Sequence, residues 1–188
     1  MAAGTDTVYK LDLEDIIAFP DAAHVPFLPP QPGESWIIFG EIVRDDSVFR
    51  PVFSVRDKIG CQFPVAFYTD NPAHDAAACK IGHILCITSG MRHQFVDGSN
   101  SYRIEDASTV FVLPCSMSAL RALNQRLRDA GDTDGCNRCK QPSKERCSRC
   151  GTCYCSKECQ AADWKLEGHK RECPVVARPR VWNRTDWG

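Results

Sequence analysis

No stretch of this sequence approaches the roughly eighteen apolar residues of a membrane-spanning helix. The opening segment, "MAAGTDTVYKLDLEDIIAF", has neither a basic leading region nor a long apolar run. These absences predict a chain of the cytoplasm or nucleus with no membrane partner. Enzyme signatures are missing too: there is no glycine-rich phosphate loop, no H-E-x-x-H, no G-x-S-x-G and no paired-carboxylate arrangement. Histidine is scarce, with five in the chain. His83 and His93 fall in predicted strands and His24 and His74 in loops, none beside a visible catalytic partner. The expectation is a non-enzymatic protein with no catalytic residues.

Cysteine, by contrast, is abundant and uneven. Of twelve cysteines, eight crowd into residues 136–173. In a reducing compartment such clustering points to metal rather than to disulfides. Charge is uneven as well: residues 1–133 hold 11 Lys and Arg against 17 Asp and Glu, and residues 134–188 hold 12 against 7. An acidic part and a basic part predict two different jobs.

Residues 1–33 begin with a short possible helix, "DLEDIIAF". They continue into "PDAAHVPFLPPQPG", where five prolines in fourteen residues predict an extended surface tether outside any core. From Glu34 the pattern becomes apolar runs between turn signals: "WIIFGEIV", "VFRPVFSVRD", "CQFPVAFYTD", "HILCIT", "HQFVDG", "SYRIED" and "STVFVLP". They predict five or six antiparallel strands over residues 34–115, with a short helix in "NPAHDAAACKIG" between the third and fourth runs. Three strands, a helix and a closing hairpin resemble the OB-fold, a five-stranded barrel. Residues 116–131 form one amphipathic helix, capped by Ser116 or Ser118, stopped by Gly131, and apolar along Met117, Leu120, Leu123 and Leu127. Residues 174–188 read as a basic flexible tail. The expected fold class is therefore mainly β with small α: an OB-like barrel, a helix and a small cysteine-rich finger.

Within the cluster the spacing is Cys136-x2-Cys139-x7-Cys147-x2-Cys150-x4-Cys155-x3-Cys159-x9-His169-x3-Cys173. Seven thiols and one imidazole suit two four-coordinate zinc ions, and sites closed by four protein ligands are structural, with no open position for water. Cys155 with Cys159, and His169 with Cys173, are spaced to meet a metal from one helical turn. Spacing alone permits either sequential or interleaved sharing of the ligands. Between Cys136 and Cys173 the larger apolar side chains are Tyr154, Trp164 and Leu166, too few to fold so short a segment by burial. Zinc supplies what the core lacks.

The spacing, together with "YCSKECQAADW" and "HKREC", resembles the MYND-type zinc finger over residues 136–173. The resemblance implies interleaving: Cys136, Cys139, Cys155 and Cys159 hold one zinc, and Cys147, Cys150, His169 and Cys173 the other. Cys153 falls at a position the family leaves unspecified. Some MYND proteins are methyltransferases, but their SET domain has no counterpart in the preceding residues. The family binds proline-rich segments, commonly Pro-x-Leu-x-Pro, as an added strand beside the finger's hairpin. The implied contact residues are Ser148, Gln160 and Trp164, although packing of the zinc core is an equal reading for Trp164. "WKLEGH" places four residues between that tryptophan and the ligand histidine where many members have two, which predicts a broken helix and a Trp164 turned away. The chain contains its own match, "PFLPP", with Pro26, Leu28 and Pro30 in the required places. A possible internal ligand and an ordinary proline-rich linker both fit it. The expected function is an adaptor, its partner a protein with a proline-rich segment. The alternative is a single-stranded nucleic-acid-binding OB-fold protein, against which residues 34–115 set 7 basic and 10 acidic residues.

Overall fold

The computed structural model describes residues 12–94, 98, 100–130 and 135–178, to the backbone only at 100 and 130. The predicted linker at 131–134, Gly131 and the tail beyond 178 lie outside them. Two compact units result: residues 13–119 form one, and residue 12 with 120–178 the other.

The first unit is one sheet of seven strands: β1 (Ile37–Asp45), β2 (Val52–Arg56), β3 (Gln62–Phe67), β4 (Ile84–Thr88), β5 (Arg92–Gln94), β6 (Asn100–Ile104) and β7 (Val110–Leu113). Their spatial order is β5-β6-β3-β2-β1-β4-β7. β1, β2 and β3 form the predicted meander, and α1 (Pro72–Asp75) leads from β3 to β4, which returns to pair with β1. The path is OB-like, with two corrections. β6 runs parallel to β3, where antiparallel strands were expected, and the ladder does not close into a barrel. β6 borders β3 while β7 borders β4, so a single stretch of chain crosses the seam. A 3-10 turn at Ala107–Thr109 breaks that stretch, because the Asp106 side chain accepts from Ser108 N at 2.8 Å and diverts the backbone from strand pairing. Pro64 is tolerated in β3 because parallel pairing with β6 begins only at Val65.

Alternation puts Ile38, Ile42, Phe53, Val55, Phe63, Val65, Leu85, Ile87 and Tyr102 into one buried cluster. Gly40 is required there: a Cβ would stand 2.6 Å from Val55 Cγ2. Trp36, Phe39, Phe53, Phe63, Phe67 and Tyr102 are all buried, so these aromatics are core and not a stacking platform.

The amino-terminal segment differs most from expectation. "DLEDIIAF" is a set of turns and not a helix: Asp15 Oδ1 accepts from Ile17 N and Ala18 N, and Pro20 disfavours helix immediately behind. Nor does the segment stand off as a tether. Phe19 stacks on Phe39 with centroids 5.1 Å apart, Ala18 O accepts from Ile37 N, and Val25 joins the core cluster. Buried Asp57 accepts Ala22 N at 2.8 Å, tying the segment to the turn after β2. The stretch around Phe27 and Leu28, 80% and 73% exposed, remains outside the core.

α2 (Met117–Ala130) is capped as expected by Ser116, whose Oγ accepts from Ala119 N. Met117, Leu120 and Leu123 are buried along one face.

Candidate metal centre

Two cysteine knuckles open the second unit. In each, residues following the first cysteine form a tight turn: Lys140 N donates to Cys136 O, and Gly151 N donates to Cys147 O. Lys140 and Gly151 adopt positive φ, 62° and 71°, to close these turns. A hairpin follows, β8 (Glu145–Arg146) against β9 (Cys153–Tyr154). Next come α3 (Lys157–Ala162), with Ser156 Oγ accepting from Cys159 N, a π-helical turn (Asp163–Glu167), and α4 (His169–Val176). α4 therefore runs past Cys173, and Val175 and Val176, expected in a flexible tail, are buried.

The structure gathers the eight predicted donors into two tetrads, Cys136, Cys139, Cys155 and Cys159 in one and Cys147, Cys150, His169 and Cys173 in the other, each with its ligand atoms within 4.8 Å of one another. The ligands thus interleave. Zinc bonded tetrahedrally at ordinary lengths separates two sulfurs by about 3.8 Å, and a sulfur from an imidazole nitrogen by about 3.6 Å. Cys139–Cys155, Cys155–Cys159 and Cys159–Cys139 lie at 3.5, 3.4 and 3.9 Å. Cys147–Cys173 lies at 3.8 Å, and Cys150 Sγ is 3.6 Å from His169 Nε2. Donor type and spacing both fit zinc.

The same crowding is unfavourable without a cation. Burial opposes a Cys136 thiolate, but backbone N–H groups of Cys139, Cys155 and Arg138 outweigh it and bring the thiol to about 6. Its neighbour Cys155, hydrogen-bonded to the Cys159 and Cys139 thiols, is pushed up to about 12. In the second tetrad Cys147 falls to about 6, hydrogen bonds from His169 and the Cys150 and Arg149 amides overcoming burial, while burial and the Cys150 charge push Cys173 up to about 12. Only a divalent cation lets all the thiols of a tetrad ionise together.

Asp163 holds the finger together, a role not read from the sequence. It is buried, and its Oδ2 accepts from Tyr154 OH at 2.7 Å and from Asn137 Nδ2 at 2.8 Å, joining β9, the first knuckle and the π-turn. Burial and Asp163 both keep the Tyr154 hydroxyl protonated. The need of a buried tyrosine hydroxyl for an acceptor was the available signal.

Trp164 packs at the second tetrad. The extra residues of "WKLEGH" form the π-turn, and Gly168, at φ 95°, breaks the helix as expected. Trp164 nevertheless stays edge-on to His169 with centroids 5.7 Å apart, as Tyr154 does at 5.7 Å, and remains 39% exposed. Ser148 is exposed on the second knuckle and Gln160 half-buried on α3. Cys153 belongs to neither tetrad.

Paired closed tetrads on interleaved segments define a two-zinc structural finger. Residues 136–173 match the family model of the MYND finger, and this segment is a MYND finger. Among curated proteins, ubiquitin carboxyl-terminal hydrolase 15 of Arabidopsis thaliana is 32% identical over 87 residues, covering 46% of this chain and 9% of that protein. F-box protein At1g67340 of the same plant is 51% identical over 47 residues, covering 23% of this chain and 12% of that protein. The chain thus spans about a tenth of each relative, and the hydrolase activity named for one belongs to that protein. Among solved structures, Schizosaccharomyces pombe Pot1pC bound to single-stranded DNA is similar at 7% identity and TM-score 0.37, covering 55% of this chain and 95% of that one. The sheet's own topology, not this likeness, defines its fold.

Proposed function

We propose that this chain is a non-catalytic adaptor whose finger takes an extended Pro-x-Leu-x-Pro segment. The carrying observation is the hairpin. β8 and β9 pair only with each other among the described residues, and Asn137 N already occupies Cys153 O on β9, so β8 offers the edge for an added strand. Ser148, Gln160 and Trp164 are the side chains assigned to peptide contact. Trp164 is the anchor: wide, part-exposed and steadied by His169. With all four positions of each tetrad taken by protein donors, the zincs supply shape and activate no water.

Titration of the zinc-loaded full chain with a synthetic Pro-x-Leu-x-Pro peptide tests this reading. Binding is expected, with Trp164→Ala retaining both zincs and losing about ten-fold or more in affinity. No binding by the loaded protein, or equal binding by Trp164→Ala, sinks it.

One observation favours the second reading, single-stranded nucleic acid. In the loop between β1 and β2, Phe49 is 100% exposed, and the guanidinium carbons of Arg50 and Arg103 lie 3.9 and 4.2 Å from the centre of the Tyr68 ring. Stacking bases and guanidinium groups suit such a ligand. Oligothymidine affinity falling with salt, at a log–log slope of about −0.7 per phosphate neutralised and abolished by Phe49→Ala, would establish it. We expect no micromolar binding, because Trp36, Phe39, Phe53, Phe63, Phe67 and Tyr102 are buried and the sheet unit is acidic.

A further inference from the structure

The two zinc tetrads are chemically alike and differently exposed. All four donors of the Cys147, Cys150, His169 and Cys173 tetrad are buried, whereas in the other Cys139 is exposed, Cys155 and Cys159 are half-buried, and only Cys136 is buried. Thiolate oxidation depends on the approach of the oxidant to sulfur, so one tetrad is open to it and the other shielded. Position adds to exposure. A resolving partner stands within reach, since Cys155 Sγ is 3.5 Å from Cys139 Sγ.

We propose that the exposed tetrad is an oxidative modification site, in which a hydroperoxide converts Cys139 and Cys155 to a disulfide and expels one zinc while the buried tetrad keeps its own. The Cys139 thiolate attacks the distal peroxide oxygen, the O–O bond breaks, and the alkoxide or hydroxide leaves with a proton as alcohol or water. The resulting sulfenic acid is attacked at sulfur by the Cys155 thiolate, and hydroxide leaves with a second proton as water. Two thiolates thus give up two electrons, the hydroperoxide accepts them, and the zinc departs because two of its four donors are gone. Reductant and zinc reverse the change, since neither sulfur has passed beyond the disulfide level. The structural consequence is selective: the exposed tetrad ties the first knuckle to the start of α3, whereas the buried one ties the second knuckle to α4.

The test uses zinc-loaded full-length protein treated with hydrogen peroxide, with released zinc followed by a chromogenic chelator and disulfides mapped by peptide mass spectrometry. One zinc is expected to leave about ten-fold or more faster than the second, accompanied by a Cys139–Cys155 bridge and reversed by dithiothreitol with added zinc. Cys139→His, which keeps a donor nitrogen but cannot form the bridge, should slow the first release. Cys153→Ser should leave it unchanged. Equal release of both zincs, a first bridge within the buried tetrad, or slowing by Cys153→Ser overturns the proposal. Mapping of the unsubstituted protein decides the matter even where Cys139→His fails to load metal. These readouts concern zinc and sulfur alone, so they stand or fall independently of what the finger binds.

Discussion

Asp163 shows how much one side chain can determine in a domain with almost no core. Its carboxylate is buried and takes hydrogen bonds from Tyr154 and Asn137, so truncation strands a buried hydroxyl and an amide together. Asp163→Ala should destabilise the loaded finger by about 2–4 kcal/mol and hasten zinc loss to chelator, measured as a lowered thermal midpoint and a faster release rate. Asp163→Asn should cost less, because its carbonyl oxygen still accepts from Tyr154. Equal stability of Asp163→Ala and the parent would remove Asp163 from this role. Among the cysteines, Cys155→Ser should lose at least one zinc and Cys153→Ser none, checked by metal analysis of the purified variants. At this scale the metal ligands were legible, since eight donors at those spacings have few other uses. Asp163 was not, because a single aspartate in a polar helix is indistinguishable in sequence from a solvated one.

Elements were legible where periodicity alone decides them. The runs that became β1 to β4 alternate, and α1 and α2 announce themselves by Pro72 and Ser116. What local pattern does not encode is partner choice. β6 reads as an ordinary strand, and its parallel pairing with β3 follows from the route of the chain through α1 and β4. The proline-rich segment misled for a related reason: composition reports backbone preference, whereas Phe19 and Val25 are buried by tertiary contact. The finger and sheet differ in what holds their elements. In the finger, Tyr154 is fully buried, whereas Trp164 and Leu166 are 39% and 78% exposed, so apolar burial is slight. Structural zinc contributes roughly 10–16 kcal/mol per site in finger peptides at neutral pH, more than such a core could supply. Chelation should therefore abolish amide protection across residues 136–173 and leave β1 to β4 protected, as read by hydrogen exchange. Surviving protection in the chelated finger would show a core that burial does not reveal.

On the scale of the whole molecule, the chain carries a match to the motif proposed for its own finger. The sequence "PFLPP" fits the motif assigned to the finger, and the structure leaves Phe27 and Leu28 80% and 73% exposed while neighbouring Val25 is anchored in the sheet. Anchoring matters energetically, because a segment fixed at one end loses less entropy on docking than a free peptide. Carriage on the same chain also raises its effective concentration, toward the millimolar range where the geometry permits reach. We predict that this segment competes with external peptides for the finger. Leu28→Ala should tighten binding of an external Pro-x-Leu-x-Pro peptide and shift the amide resonances of Ser148, Gln160 and Trp164, with both zincs retained. Dependence on protein concentration then separates the two routes: competition within one chain is the same at low and high concentration, whereas competition between copies fades on dilution. Unchanged affinity and unchanged resonances at both concentrations would make Pro26, Leu28 and Pro30 an ordinary exposed turn, and leave the finger free for partners from other chains.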